Sequence, residues 1–169
     1  MDEFKRFQEV VKNYAEAYAS FEQLQEEGIT FIPEKGDQKT GVVGEAYIFK
    51  YLDKKGYKNL EFGKTSQESW DIKFTDKGEE KLVQVKTVSD FSETKIISHI
   101  LLGFDILYLV KLNEKLYPVK ILKVTTSGKW PDIKHKAFPK KDFTYKNYKF
   151  ETIDETEDFM YLLNMKKSF

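Results

Sequence analysis

A chain of 169 residues is of a size for one packed domain, and 40% hydrophobic with 15% aromatic residues gives it the material for a core. The 28 basic and 28 acidic residues cancel, which excludes an indiscriminate polycationic coat for nucleic acid, and the absence of cysteine excludes a disulfide scaffold or a thiolate metal site. No run of eighteen apolar residues is present, and the opening MDEFKRFQEV has no apolar signal-peptide core, so a cytoplasmic protein with no membrane partner is expected.

Residues Asp2 to Glu27 read as a helix, because Phe4, Phe7, Val11, Tyr14, Tyr18, Phe21 and Gln25 recur at three- and four-residue steps and Gly28 stops the run. A second helix is expected from about Asp37 to Lys55, with Ile48, Phe49 and Leu52 on its apolar stripe and Gly56 at its end. The period then changes to two. Asn59–Gly63 and Ser69–Thr75 read as strands, the latter with Trp70, Ile72 and Phe74 on one face and Asp71 and Lys73 on the other. The turn Asp76-Lys77-Gly78 joins it to a strand over Lys81–Ser89. A helix is expected from Ser92 to about Leu102, burying Ile96, Ile97, Ile100 and Leu101. Phe104–Leu112 and Leu116–Val124 read as a hairpin, followed by an irregular Lys/Pro/aromatic stretch and an acidic helix from about Asp154 to Met165. This order predicts an α/β (α+β) layered domain with a central mixed sheet flanked by helices. One domain over 1–169 is expected: an N-terminal helix over 1–30, a core over 37–124 and a C-terminal extension over 125–169.

Charge is unevenly spread. Residues 111–149 hold eleven lysines against three acids, whereas residues 1–37 hold nine acids against four bases. The basic stretch suits a phosphate backbone, and Lys129, Lys134, Lys136, Lys140 and Lys141 are candidate DNA contacts, with Lys95 and His99 nearer the middle of the chain. A solvated lysine-rich surface is the alternative reading. Trp130, Phe138, Phe143, Tyr145 and Tyr148 suit base stacking, or more readily a C-terminal mini-core. No phosphate-cradling glycine motif occurs, so no nucleotide cofactor is expected, and two histidines without cysteine make a poor zinc site.

The strand over residues 81–88 carries the chemistry. Alternation sets Leu82, Gln84, Lys86 and Val88 on one face and Val83, Val85 and Thr87 on the other. An amide and an ammonium in so apolar a setting need partners, because desolvating them alone costs several kcal/mol. Asp71, on the strand before, is within about 5–8 Å across a hairpin pair. One carboxylate, one amide oxygen and one ammonium then converge, a set suited to a hard cation such as Mg²⁺ (or Mn²⁺) beside a phosphate, with the main-chain carbonyl of Val85 as a further ligand. Glu45 falls on or beside the inward stripe of the second helix, where a glutamate needs a cation or a donor. Gly41 and Gly44 just before it permit close approach.

The pattern Gly41-x-x-Gly44-Glu45, then Ser69-Trp70-Asp71, then Gln84-Val85-Lys86, resembles the PD-(D/E)XK, or restriction-endonuclease-like, nucleases over roughly half the chain. The resemblance implies a Mg²⁺-dependent endonuclease that hydrolyses DNA phosphodiesters, in restriction or repair. Glu45 would be the helix carboxylate, Asp71 the principal metal ligand, Gln84 the second-ligand position and Lys86 the catalytic lysine. Trp70 replaces the family's proline, and Gln84 replaces its second acid, as in Mrr-type enzymes. The loss of that charge keeps open a catalytically inactive DNA-binding or protein-interaction module on the same fold. Cutting both strands would call for two sites and hence a symmetric homodimer. The aromatic stripe of the first helix suits that contact, or packing on its own domain. A second register, Asp71-Ile72-Lys73 with Glu61 upstream, leaves the polar pair Gln84 and Lys86 unexplained. Pro131-Asp132-Ile133-Lys134 is set aside because no Asp/Glu-x-Lys follows it and no strand alternation surrounds it.

Overall fold

The computed structural model describes residues 2–26, 38–63 and 69–165; the side chains at 21–22, 24–26, 38–39 and 42 are not described. The elements, in chain order, are α1 (Glu3–Glu26), α2 (Gln38–Lys54), β1 (Lys58–Phe62), β2 (Ile72–Asp76), β3 (Glu79–Ser89), β4 (Ile96–Ile100), β5 (Ile106–Leu112), β6 (Pro118–Thr126), β7 (Ile133–Ala137), β8 (Phe150–Asp154) and α3 (Thr156–Leu162). The stop expected at Gly28 and the loop after it fall outside the described residues.

Six strands form one mixed sheet in the order β1-β2-β3-β5-β6-β8, in which only β3 and β5 run parallel. The β2–β3 hairpin closes through Lys77 and Gly78, both left-handed at φ 50° and 85°, the backbone that a two-residue turn between right-twisted strands requires. In the β5–β6 turn, Asn113 Oδ1 accepts the N–H groups of Lys115 and Tyr117 at 2.9 and 3.0 Å. Leu116 therefore belongs to this turn, not to the strand that begins at Pro118.

Strict alternation along β5 sorts the core into two layers. Ile106, Tyr108 and Val110 join Val83 and Val85 beneath α1, α2 and α3, where Tyr47, Ile48, Tyr51, Leu52 and Phe159 are fully buried. Leu107 and Leu109 join Val88 on the opposite face, under Ile97, Ile100 and Ile133. The fold is thus mixed α+β, and the helices among the described residues flank the sheet on one face. A separate two-stranded ribbon, β4 with β7, closes the other.

That ribbon corrects two expectations. Where helical spacing is read over residues 92–102, Ile96–Ile100 form strand β4, because His99 takes a left-handed backbone, φ 45°, and breaks the alternation. Ile97 and Ile100 then both point inward at a spacing of three, while Ile96 and Leu101 stay exposed. The stretch after Thr125, read as irregular, holds β7 and β8, so Ile133 and Lys134 do lie in a strand. Trp130 and Phe143 are buried against the second layer, with Phe138 and Tyr145 packed on it, as a mini-core requires. The α1 stripe packs on its own chain: Val11 and Ala15 are buried, and Phe4 and Phe7 meet Tyr47 edge-on at 6.3 and 5.4 Å.

Candidate active site

Strand β2 ends early, and its ending opens the site. Its last pair with β3 is Ile72 with Val83. One step beyond, the Asp71 N–H donates to Val83 O at 2.7 Å, and Asp71 Oδ2 accepts the Val85 N–H at 2.7 Å. A carboxylate thus takes the place that the next β2 carbonyl would fill, and from Gln84 onward β3 has β5 on one side only. The N–H and C=O of one residue leave a strand on the same side, so the Val85 carbonyl also faces the edge occupied by Asp71. Behind it Gln84, 3% exposed, donates from Nε2 to Ser69 O at 2.9 Å, while its Oε1 is buried without a hydrogen-bond partner among the described residues. Trp70 is outside β2 and packs on the layer opposite Ile72 and Phe74, so the three do not share a face.

Helix α2 brings Glu45 from the other layer. It can lie close to β3 because residue 44 is glycine: a Cβ there would fall 1.9 Å from Thr87 Oγ1. Glu45, Asp71, Val85, Lys86 and Thr87 line one cavity of about 350 Å³, with Thr40 and Gly41 on the α2 side and Ile96, Ile97 and Ser98 of β4 as the opposite wall. Asp71 and Lys86 therefore line one cavity, near enough for their charges to interact. Gln84 does not line it.

Electrostatics set this cluster apart. Burial, then the neighbouring Asp71 charge, raise the Glu45 pKa to about 7, against a smaller opposing pull from Lys86. Burial also raises Asp71, although the Val85 N–H and the Lys86 charge oppose it. Burial holds Lys86 below the ordinary lysine range despite the attraction of both carboxylates. Each group is pushed toward neutrality, because desolvation outweighs their mutual attraction. Such a site is relieved by a bound ion carrying compensating charge. Among the described residues no three His, Cys, Asp or Glu side chains converge, so any cation here would rely on two carboxylates plus amide or carbonyl oxygens.

The other candidate residues lie apart from this centre. Lys95 is committed to the turn after β3: its Nζ donates to Ser89 O at 2.6 Å and to Ser92 O, and it is 3.5 Å from Asp90. His99 is in β4, not in a helix, and its ring stacks on that of His135 at 6.2 Å between centroids. Lys134 and Lys136 lie on β7, with the Lys136 ammonium 6.0 Å above the Phe143 ring. Lys129, Lys140 and Lys141 are exposed. In the competing register, Lys73 is 2.5 Å from Glu61 and 3.3 Å from Glu80, a surface triad on the hairpin away from the cavity. Thr87 escapes a sequence reading: it sits on the core face of β3, and its partner is a missing side chain.

No family model matches the chain, and no curated protein matches it. Among solved structures, a bacterial homing endonuclease is similar to it at 17% identity and a TM-score of 0.42, over 68% of this chain and 84% of that one. The likeness is too weak to assign a family. No helix among the described residues is long and apolar enough to cross a membrane.

Proposed function

We propose that this chain is a Mg²⁺- or Mn²⁺-dependent endonuclease of the PD-(D/E)XK kind that hydrolyses DNA phosphodiester bonds. The single observation that carries this is the shared cavity of Glu45, Asp71 and Lys86 at the edge of β3 where the β2 ladder is absent. Asp71 and Glu45 would hold the cation, with the Val85 carbonyl as a further oxygen donor. The donor set fits a hard ion, since the cavity offers oxygen donors alone beside the Lys86 ammonium. Mg²⁺ in such a site supplies Lewis-acid charge to a phosphoryl oxygen. Lys86 orients the attacking water and offsets charge as it develops on the phosphate. The Asp71 carboxylate is held in one orientation by the Val85 N–H, so little reorganisation is required. Lys134 and Lys136 on β7, with Lys129, Lys140, Lys141 and His99, would meet the DNA backbone, while Lys95 stays tied to the turn after β3.

Relaxation of supercoiled plasmid in Mg²⁺ tests the reading. Lys86→Ala and Asp71→Asn should each lower nicking by roughly 10²–10³-fold with folding retained. Cleavage by the Lys86 variant at the rate of the unsubstituted chain overturns it. An amide at position 84 and only two carboxylates in the cavity favour a second reading, a non-catalytic DNA-binding module on the same fold. That module would bind DNA and no divalent ion.

A further inference from the structure

We infer that Gln84 is a positioning residue whose amide nitrogen holds Asp71 in place, so that this position needs an amide and a carboxylate fails there. The inference rests on the proposed role of Asp71. Gln84 lies opposite Asp71 in the extended register of the hairpin, one residue beyond the Ile72–Val83 pair. Its end facing Ser69 must be the nitrogen, since the Ser69 carbonyl accepts and cannot donate. Three bonds then tie Ser69–Asp71 to β3 where β2 has ended: Gln84 Nε2 to Ser69 O, Asp71 N–H to Val83 O, and the Val85 N–H to the Asp71 carboxylate. The first is the only one of the three made by a side chain of β3. Apart from it, Ser69 is held by a single described hydrogen bond, from its hydroxyl to Gly103 O at 3.2 Å.

Glutamate has the length and shape of glutamine, but when ionised it only accepts. At this buried position it would set an oxygen against the Ser69 carbonyl and leave both unsatisfied. It would also add negative charge beside Asp71. Glutamine avoids this, because its Nε2 donates to Ser69 O and fixes the segment that aims Asp71. A family acid at position 84 would supply more charge and lose the hold on Asp71.

Nuclear magnetic resonance on the metal-free, full-length chain reads the hold directly. The Gln84 Nε2 protons should exchange slowly and show a through-hydrogen-bond coupling to the Ser69 carbonyl carbon; fast exchange with no coupling overturns the inference. Gln84→Met should then speed exchange at the Asp71 and Val85 amides about fivefold, the effect of one lost hydrogen bond, with the β5–β6 amides unchanged. Unaltered exchange at 71 and 85 also overturns it. In plasmid nicking, Gln84→Glu should lose roughly tenfold to a hundredfold and need more Mg²⁺, the effect of a misaimed ligand. Equal or higher activity in Gln84→Glu contradicts it. If the coupling is present and the unsubstituted chain cuts no DNA, the nuclease reading falls and the hold on Asp71 stands.

Discussion

Two clusters beside helix α2 hold the same charges, one lysine and two carboxylates, and the two behave in opposite ways. At its C-terminal end, Lys55 is 3.3 Å from Glu155 and 3.4 Å from Asp158. Tyr108 donates to Glu155 at 2.9 Å, and Tyr51 donates to Asp158 at 2.6 Å. Burial pulls the Lys55 pKa down, yet Glu155, Tyr57 and Asp158 together carry it above the ordinary range. Nearer its N-terminal end, Glu45 shares a cavity with Asp71 and Lys86, and there burial wins: Lys86 is depressed and both carboxylates are raised. The first cluster is satisfied and fastens α3 to α2 and β5. In the second, burial pushes all three groups toward their neutral forms, which suits a site that has yet to bind.

Substitutions can break or sharpen this contrast. The largest effect is the loss of Mg²⁺-dependent nicking in Lys86→Ala and Asp71→Asn, roughly 10²–10³-fold. The counterpart Lys55→Ala should leave nicking unchanged, and a change of similar size there would erase the distinction. On stability the order reverses. Lys55→Met leaves Glu155 buried without its cation and should cost about 2–3 kcal/mol in urea unfolding, whereas Lys86→Met should stay within about 1 kcal/mol.

Gly44→Ala comes next. The added methyl meets Thr87 Oγ1, so α2 must shift from β3 and Glu45 with it. A cost of about 1–3 kcal/mol is expected, together with weaker metal binding in calorimetry. Thr87→Ala in the same chain should recover part of both, because it removes the clashing atom.

The pH dependence is smaller. Glu45 has a folded pKa of about 7 against an ordinary value of 4.5, so the folded state holds the proton more tightly. Stability from this group is therefore greatest below pH 4.5 and falls as pH rises toward 7, by about 1–2 kcal/mol once partial exposure is discounted. Glu45→Gln should flatten that slope in thermal melts. Metal binding should move the opposite way and tighten as pH rises through 7, since a ligand must shed its proton first. The smallest effect is at the ribbon: Lys134→Ala or Lys136→Ala should each reduce the salt-dependence slope of DNA binding by about one.

The site is readable where local period and tertiary burial agree. Strand β3 alternates without interruption, so Gln84 and Lys86 share a face in the sequence as in the fold, and the helical spacing of Glu45 with Ile48 and Leu52 already turns it inward. The β2–β3 and β5–β6 hairpins are legible from their turns. Strand β4 is not, because the left-handed backbone at His99 sets Ile97 and Ile100 three apart, a helix-like interval. Its ladder partner β7 lies about 35 residues further on, with Ile133 as its one buried residue, so no local pattern announces it. Trp70 misleads in another way: it looks like part of the β2 stripe, but β2 begins only at Ile72 and the indole packs on the far layer. Gly44 is conspicuous in the sequence, while its reason, Thr87 across the layer, is a contact that only the fold supplies.

Calorimetric titration of Mn²⁺ into the metal-free chain and into Asp71→Asn bears most directly on the pairing of Glu45 and Asp71. One saturable site in the unsubstituted chain, absent from the variant, is the expected outcome. No heat of binding in either, or the same isotherm in both, would mean that the cavity holds no divalent ion.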